Sequence, residues 1–391
     1  MMPRAKPAGL GDGVGDRLLH TPRGTGEAES GLVVRLVALY LPQFHAIPEN
    51  DEWWGKGFTE WTNARKARPL FRGHDQPRVP TELGYYDLRV PEVRAAQADL
   101  AREHGIEAFC YYHYWFAGKR LLERPFLEVL ESGEPNFPFC LCWANESWSG
   151  VWHGCPDRIL VRQDYPGTED DERHFRFLLR AFRDGRYLTV EGKPVFLVYR
   201  PDEIPEPRRM TDQWRRLAEA SGLPGLHLVG MANVPWDPIP SGFDAVARSN
   251  LTRATYFDRR LRTRVFRRMR RALGRPQHVY SYRYALPLLF VDEAERENVY
   301  ACIAHDWDNS PRTGREALIM RGAAPELFGR LLAREIERAR RKPYERRFVF
   351  LKSWNEWAEG NYLEPDRRHG RGYLEVIREA TGADRREPGG S

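Results

Sequence analysis

A chain of 391 residues, 41% hydrophobic and 30% charged, can bury a large core beneath a solvated surface, yet it holds no run of eighteen apolar residues and so no candidate membrane-spanning helix. The formal charge of +6 is modest for this length and concentrates in "DRRLRTRVFRRMRRALGR" (258–275), where nine arginines fall, which argues against a nucleic-acid footprint spread over the molecule. Five cysteines, an odd number with three inside apolar runs, argue against a disulfide framework and suit a reducing cytosol.

Residues 1–32 are rich in Gly, Pro and charge and lack the apolar stretch of a secretory leader, so they read as a disordered tail. The "GDGVG" within them follows no strand and opens no helix, which removes it as a nucleotide loop. From residue 33 onward, strand-like apolar runs alternate with helical patterns. The runs are "RLVALYL" (35–41), "IEAFCYYHYW" (106–115), "FPFCLCW" (137–143), "PVFLVY" (194–199), "LHLVGMAN" (226–233), "FDAVARS" (243–249), "VYACIAHD" (299–306) and "RFVFLKSW" (347–354). Most are continuously apolar, as strands buried on both faces must be. Between them, "PEVRAAQADLAREHG" begins with Pro and stops at Gly105, "DERHFRFLLRAFRDG" stops at Gly185, and "APELFGRLLAREIERARRK" carries apolar residues at helical spacing with cations in its last turns. Eight strands interleaved with helices predict an α/β fold, a (β/α)8 TIM barrel forming one domain over residues 33–380 with long βα loops, followed by a disordered tail at 381–391. A doubly wound open sheet is the rival.

Cys140 and Cys142 point to the same side of one strand, with His153 and Cys155 nearby. Their spacing matches no standard metal-ligand pattern, so packing is the expected role, and neither metal nor cofactor is expected. The arginine-rich stretch carries Leu261, Val265, Met269 and Leu273 at every fourth residue, the mark of a helix with one apolar stripe. The expected arrangement packs that stripe on the barrel and leaves the arginines solvated. The sharper alternative attaches it to anionic lipid headgroups or an acidic polysaccharide, which would make a cytoplasmic protein peripheral at the inner membrane face.

In a parallel barrel, chemistry sits at the C-terminal ends of the strands. Here the first strand exits toward His45, Glu60 and Trp61, and the second carries Tyr112, His113 and Trp115. The third ends at Trp143, Asn145, Glu146 and Trp148, and the fifth at Asn233 and Trp236. The seventh leads into Trp307, Asp308, Asn309 and Arg312, and the eighth into Trp354, Asn355, Glu356, Trp357 and Glu359. Aromatic residues beside Asn, Asp, Glu or His at six strand ends suit a saccharide, whose C–H faces pack on indoles while polar side chains bond its hydroxyls. His45 and His113 are expected either to orient ligand or to satisfy the core. Trp115, Trp143, Trp307 and Trp357 are expected stacking platforms, and Asn145, Glu146 and Asn355 hydroxyl partners. Glu60 is a third acid or a loop anchor.

Glu356 and Glu359 lie three apart where the last strand ends. Glycoside cleavage needs two carboxyl groups at one bond, and close acids under indoles push each other's pKa values apart. A helix start near Glu359 is the competing explanation.

The segments "LYLPQFHAIPENDEWWGKGFTEWTN", "YYHYWFAGKRLLE", "FPFCLCWANESW", "WDNSPR" and "SWNEWAEGNYLEP" together resemble the bacterial WbsX-like proteins, the glycoside hydrolase family 99-like domains met in surface-polysaccharide gene clusters and frequently labelled glycosyltransferases. The resemblance spans roughly residues 35–380 and implies a (β/α)8 barrel. In family 99 hydrolases an E-W-x-E-G motif follows the last strand. By that resemblance Glu356 is the base at the sugar 2-hydroxyl, through a 1,2-anhydro intermediate, and Glu359 is general acid and then base. Ala358 stands where the mannosidases commonly have histidine, and "PQFH" and "YHYWF" are of the WbsX type. The implied activity is a retaining endo-type hydrolase acting on a bacterial surface or extracellular polysaccharide. A glycosyltransferase of O-antigen or capsular polysaccharide synthesis is the alternative, with "DWD" (306–308) as a weak acidic motif, and a non-catalytic carbohydrate-binding barrel is the third.

Overall fold

The computed structural model describes residues 34–150, 155–253 and 261–383. The tail expected at 1–32, His153, and residues 384–391 of the expected C-terminal tail lie outside these. Eight strands form the centre: β1 (Arg35–Tyr40), β2 (Ala108–Phe116), β3 (Phe139–Trp143), β4 (Lys193–Val198), β5 (His227–Ala232), β6 (Ala245–Arg248), β7 (Val299–Ala304) and β8 (Phe348–Lys352). Each pairs in parallel with its neighbours. β1 then pairs with both β2 and β8, Val37 lying opposite Ala108 and Phe350, so the sheet closes on itself. It is a (β/α)8 barrel, and the open-sheet rival is removed. The eight apolar runs fall on these strands because a filled lumen and an outer ring of helices bury both faces, leaving no polar alternation.

The helices Pro91–Glu103, Arg124–Ser132, Thr168–Phe182, Pro207–Ala220 and Pro325–Ala339 cover the outside, and Gly372–Thr381 packs against the last of these. Pro91 sits in the first turn, where its missing N–H costs nothing. Gly105 ends that segment at φ +80, with the Thr381 hydroxyl 2.4 Å from where a Cβ would stand. Between β5 and β6 a 3-10 turn, Ile239–Ser241, replaces a helix. Cys110, Cys140, Cys142 and Cys302 are buried free thiols, and Cys142 Sγ lies 3.6 Å from Met231 Sδ, an ordinary packing contact.

The arginine-rich stretch forms the helix Leu261–Ala272, but its stripe is not packed on the barrel. Val265 is 62% exposed, Met269 51% and Leu273 62%. Two arginines turn inward instead: Arg267 meets the Tyr280 hydroxyl, and Arg270 Nε donates to the Pro276 carbonyl at 2.6 Å. Long guanidinium stems reach acceptors that the shorter apolar side chains cannot use, so polar bonds fix the helix and the apolar stripe is left outside.

Candidate functional site

A cavity of about 470 Å³ opens at the C-terminal ends of the strands, within the size range of small-molecule sites. Its floor is the end of β8. Beyond Lys352 the chain forms a short antiparallel pair, Asn355–Glu356 against Asn361–Tyr362, around the 3-10 turn Trp357–Glu359. Gly360 closes the turn at φ +60, with Arg78 Cζ 2.9 Å from where a Cβ would stand. Asn355 fixes the turn to the seam of the barrel: its Oδ1 accepts from Leu41 N at 2.8 Å and its Nδ2 donates to Leu41 O at 3.0 Å. These constraints turn both acid side chains into the cavity.

Glu356 and Glu359 are buried and share a hydrogen bond, so one of them carries a proton. Burial, then the charge and hydrogen bond of Glu359, pushes Glu356 well above the usual carboxylate range. Burial also acts to raise Glu359. The Arg312 guanidinium, the hydrogen bond from Glu356 and the Lys352 ammonium outweigh it and hold Glu359 below its ordinary value. Arg312 Nη1 bonds Glu359 at 2.7 Å and Nη2 bonds Glu60 at 2.8 Å. Glu60 Oε1 also accepts from Ala358 N at 2.9 Å, which ties the first βα loop to the acidic turn. Four carboxyl groups (Glu60, Glu146, Glu356, Glu359) and three cations (Arg200, Arg312, Lys352) line the same cavity.

The walls are Tyr112 and Tyr114 of β2, Trp148, Tyr199 and Trp307, together with Trp54 and Phe58 of the loop after β1. The Trp307 indole N–H is buried and has no acceptor among the described residues. Lys352 Nζ lies 3.3 Å from the Tyr199 hydroxyl.

Of the residues singled out from sequence, Glu60, Tyr112, Glu146, Trp148, Trp307, Arg312, Glu356 and Glu359 line this cavity. The others serve the scaffold. His113 faces outward to His174, Nε2 to Nε2 at 2.9 Å, and Trp115 stacks on the His174 ring at 4.6 Å. Trp143 Nε1 donates to Trp115 O at 3.2 Å. His45 bonds Pro42 O at 3.1 Å through Nδ1, and Trp61 Nε1 donates to Tyr86 O at 2.8 Å. Asn145 pins the loop after β4, accepting from Arg200 N at 2.7 Å. Trp236 packs on Phe243 and lies over Gly230, while Asn233 is half-buried outside the cavity wall. Asp308 accepts from His74 Nε2 at 2.7 Å and Gln76 Nε2 at 2.8 Å; burial opposes the shift, but His74, Arg78 and Ser310 bring it down to about 2. Asn309 accepts from Leu318 N, Trp354 is buried against Phe109, and Trp357 stacks on Tyr362 at 3.7 Å while donating to Glu364 at 2.6 Å. Asn355 is the seam bond already described. Asp306 of "DWD" pairs with Arg78 at 2.8 Å, so both aspartates of that motif are spent on the scaffold.

The sequence reading missed Tyr114, Tyr199, Arg200 and Lys352. Strand position carries the signal for three of these: Tyr114 shares a face with Tyr112, and Tyr199 and Lys352 sit at strand exits.

Among solved structures, the fold is similar to that of a glycoside hydrolase-like protein (15% identity, TM-score 0.55, 93% of this chain and 97% of that one). It is also similar to a GH99 endo-alpha-mannosidase from Bacteroides thetaiotaomicron (13% identity, TM-score 0.54, 90% and 97%). At these identities the likeness is one of fold. Two curated relatives, both an uncharacterized protein WxcX from strains of Xanthomonas campestris pv. campestris, are 40% identical over 354 residues, covering 89% of this chain. The chain spans about half the length of these relatives, 50% in each case. A family model described as Glycosyltransferase WbsX matches residues 36–377, nearly the whole described barrel, and the chain belongs to that family.

Proposed function

We propose that this barrel is a carbohydrate-active enzyme, a retaining endo-type glycoside hydrolase acting on a bacterial surface or extracellular polysaccharide. The observation that carries the reading is the pair of buried acids turned into one cavity beneath an aromatic wall. A fold neighbour that is an endo-alpha-mannosidase supports it. The resting proton favours Glu356 as donor to the leaving oxygen and Glu359 as the carboxylate on the anomeric side, opposite to the roles implied by the family 99 resemblance. A glycosidic oxygen entering between the two groups would replace their mutual hydrogen bond. Glu359 would attack the anomeric carbon as the glycosidic bond breaks and Glu356 hands its proton to the departing oxygen; a water deprotonated by Glu356 would then displace Glu359 from that carbon. Two acids carried on one short turn suit the closer carboxyl pairing of retaining enzymes rather than the wider one of inverting enzymes.

The test is incubation of the protein with defined surface polysaccharides, reading released oligosaccharides and the configuration at the new reducing end. Retention supports the reading; inversion, or binding without release across all substrates, sinks it. A second reading, a glycosyltransferase, draws on the family's description and on Arg200, Arg312 and Lys352 in the wall, residue types that hold phosphates. Release of nucleotide from a nucleotide sugar, with Mn²⁺ or Mg²⁺ supplied, would favour it.

A further inference from the structure

The exposed side of the Leu261–Ala272 helix combines two features that water does not satisfy together. Val265, Met269 and Leu273 recur every four residues and stand more than half exposed, making a continuous apolar stripe. Arg268, Arg271 and Arg275 beside it are also exposed, and among the described residues no carboxylate pairs with any of them. The arginines with a structural task are different ones, Arg267 and Arg270, which bond inward to Tyr280 and Pro276. A surface helix whose stripe had merely lost its place on a core would not need a separate set of outward cations.

The helix sits at the cavity's end of the barrel. The strand that follows it, His278–Ser281, pairs in parallel with Leu318–Arg321, and Ile319 of that strand bridges to Asp308, next to the cavity residue Trp307. Arg270 also lies 5.8 Å from the ring of Phe71 in the first βα loop.

We propose that this face docks the protein on a membrane surface rich in anionic lipid, with the arginines among the headgroups and the Val265–Met269–Leu273 stripe in the acyl boundary. Charge complementarity calls for a polyanion, and the stripe decides which kind. An acidic polysaccharide or a nucleic acid would neutralise the guanidiniums but leave the three apolar side chains in water. A bilayer accepts both at once.

The test uses the full chain and reads binding rather than turnover, so it is independent of the catalytic reading. Cosedimentation is measured with vesicles of phosphatidylcholine alone and of phosphatidylcholine mixed with phosphatidylglycerol. The protein should partition onto the mixed vesicles and not onto phosphatidylcholine. Removing three charges in Arg268→Gln/Arg271→Gln/Arg275→Gln should weaken partitioning on the order of 100-fold. Met269→Ser/Leu273→Ser should weaken it as well, with the charges intact. All five positions are exposed, and an unchanged melting curve checks that the variants fold. Failure of the wild type to bind mixed vesicles overturns the proposal. So does binding that ignores the Met269 and Leu273 changes, or equal arginine-dependent capture by soluble polygalacturonate, either of which marks a general polyanion site.

Discussion

Arg312 and Glu359 are joined at 2.7 Å inside the cavity, and the same guanidinium reaches across to Glu60 at 2.8 Å. This one side chain holds a carboxylate of the acidic turn ionised and anchors the loop that follows β1. Arg312→Gln should therefore do two things. It leaves buried carboxylates without their partner, destabilising the fold by roughly 3–5 kcal/mol in urea unfolding. It also removes a charge that lowers the Glu359 pKa, so the acidic limb of the pH–rate profile should move upward. An unmoved limb would mean that Arg312 is scaffold only.

The shared proton predicts how activity depends on pH. The rate should rise as Glu359 ionises and fall at higher pH as Glu356 loses its proton, giving a bell. Glu356→Gln and Glu359→Gln should each cost about 10²–10⁴-fold. The residual activity of Glu356→Gln should lack the falling limb, and that of Glu359→Gln the rising one. The reverse pattern would restore the roles implied by the family 99 resemblance.

Strand β2 offers a comparison between adjacent residues. Tyr114 lines the cavity, whereas Trp115 stacks on His174 of the Thr168–Phe182 helix. Trp115→Ala should lower stability by roughly 3–5 kcal/mol and leave KM unchanged. Tyr114→Phe should change KM while stability stays within about 1 kcal/mol. Exchange of these two phenotypes would contradict the strand's facing.

Glu364 makes stability itself pH-dependent. Burial raises its pKa to about 7, only partly offset by hydrogen bonds from Trp357, Gln97 and Tyr86. Its folded pKa lies above its unfolded value near 4.3, so the native state binds the extra proton between roughly pH 4.3 and 7. Its contribution is complete below that window and is lost as the pH rises through it, by roughly 4 kcal/mol in all. Buried histidines act oppositely: burial brings His113 down to about 3 and His227 to about 4. The difference between wild type and Glu364→Gln, melted from pH 5 to pH 8, isolates the glutamate. A constant difference across that range would refute the assignment.

The barrel was legible in the sequence because its signal is long-range and redundant: each of the eight apolar runs carries a strand. The acid pair was legible because Glu356 and Glu359 follow the last of these runs without a break. Facing was harder to read. Tyr112, His113, Tyr114 and Trp115 are all buried, so hydrophobicity does not alternate along β2, and composition alone cannot separate lumen from outer face. His113 and Trp115 were drawn into the expected site for that reason, and Tyr114 was left out. The arginine-rich helix reversed a different expectation. Periodicity located its stripe, but which side meets the barrel depended on acceptors, Tyr280 and the Pro276 carbonyl, that lie outside the helix.

The bonds between Asn355 and Leu41 have a consequence for biosynthesis. They unite a segment made early with one that leaves the ribosome more than three hundred residues later, |i−j| being 314. Until that late segment emerges, the nascent polypeptide contains most of the aromatic lining but neither of the two acids. The acid pair is thus brought together with the aromatic lining only at the step that also shuts the cylinder.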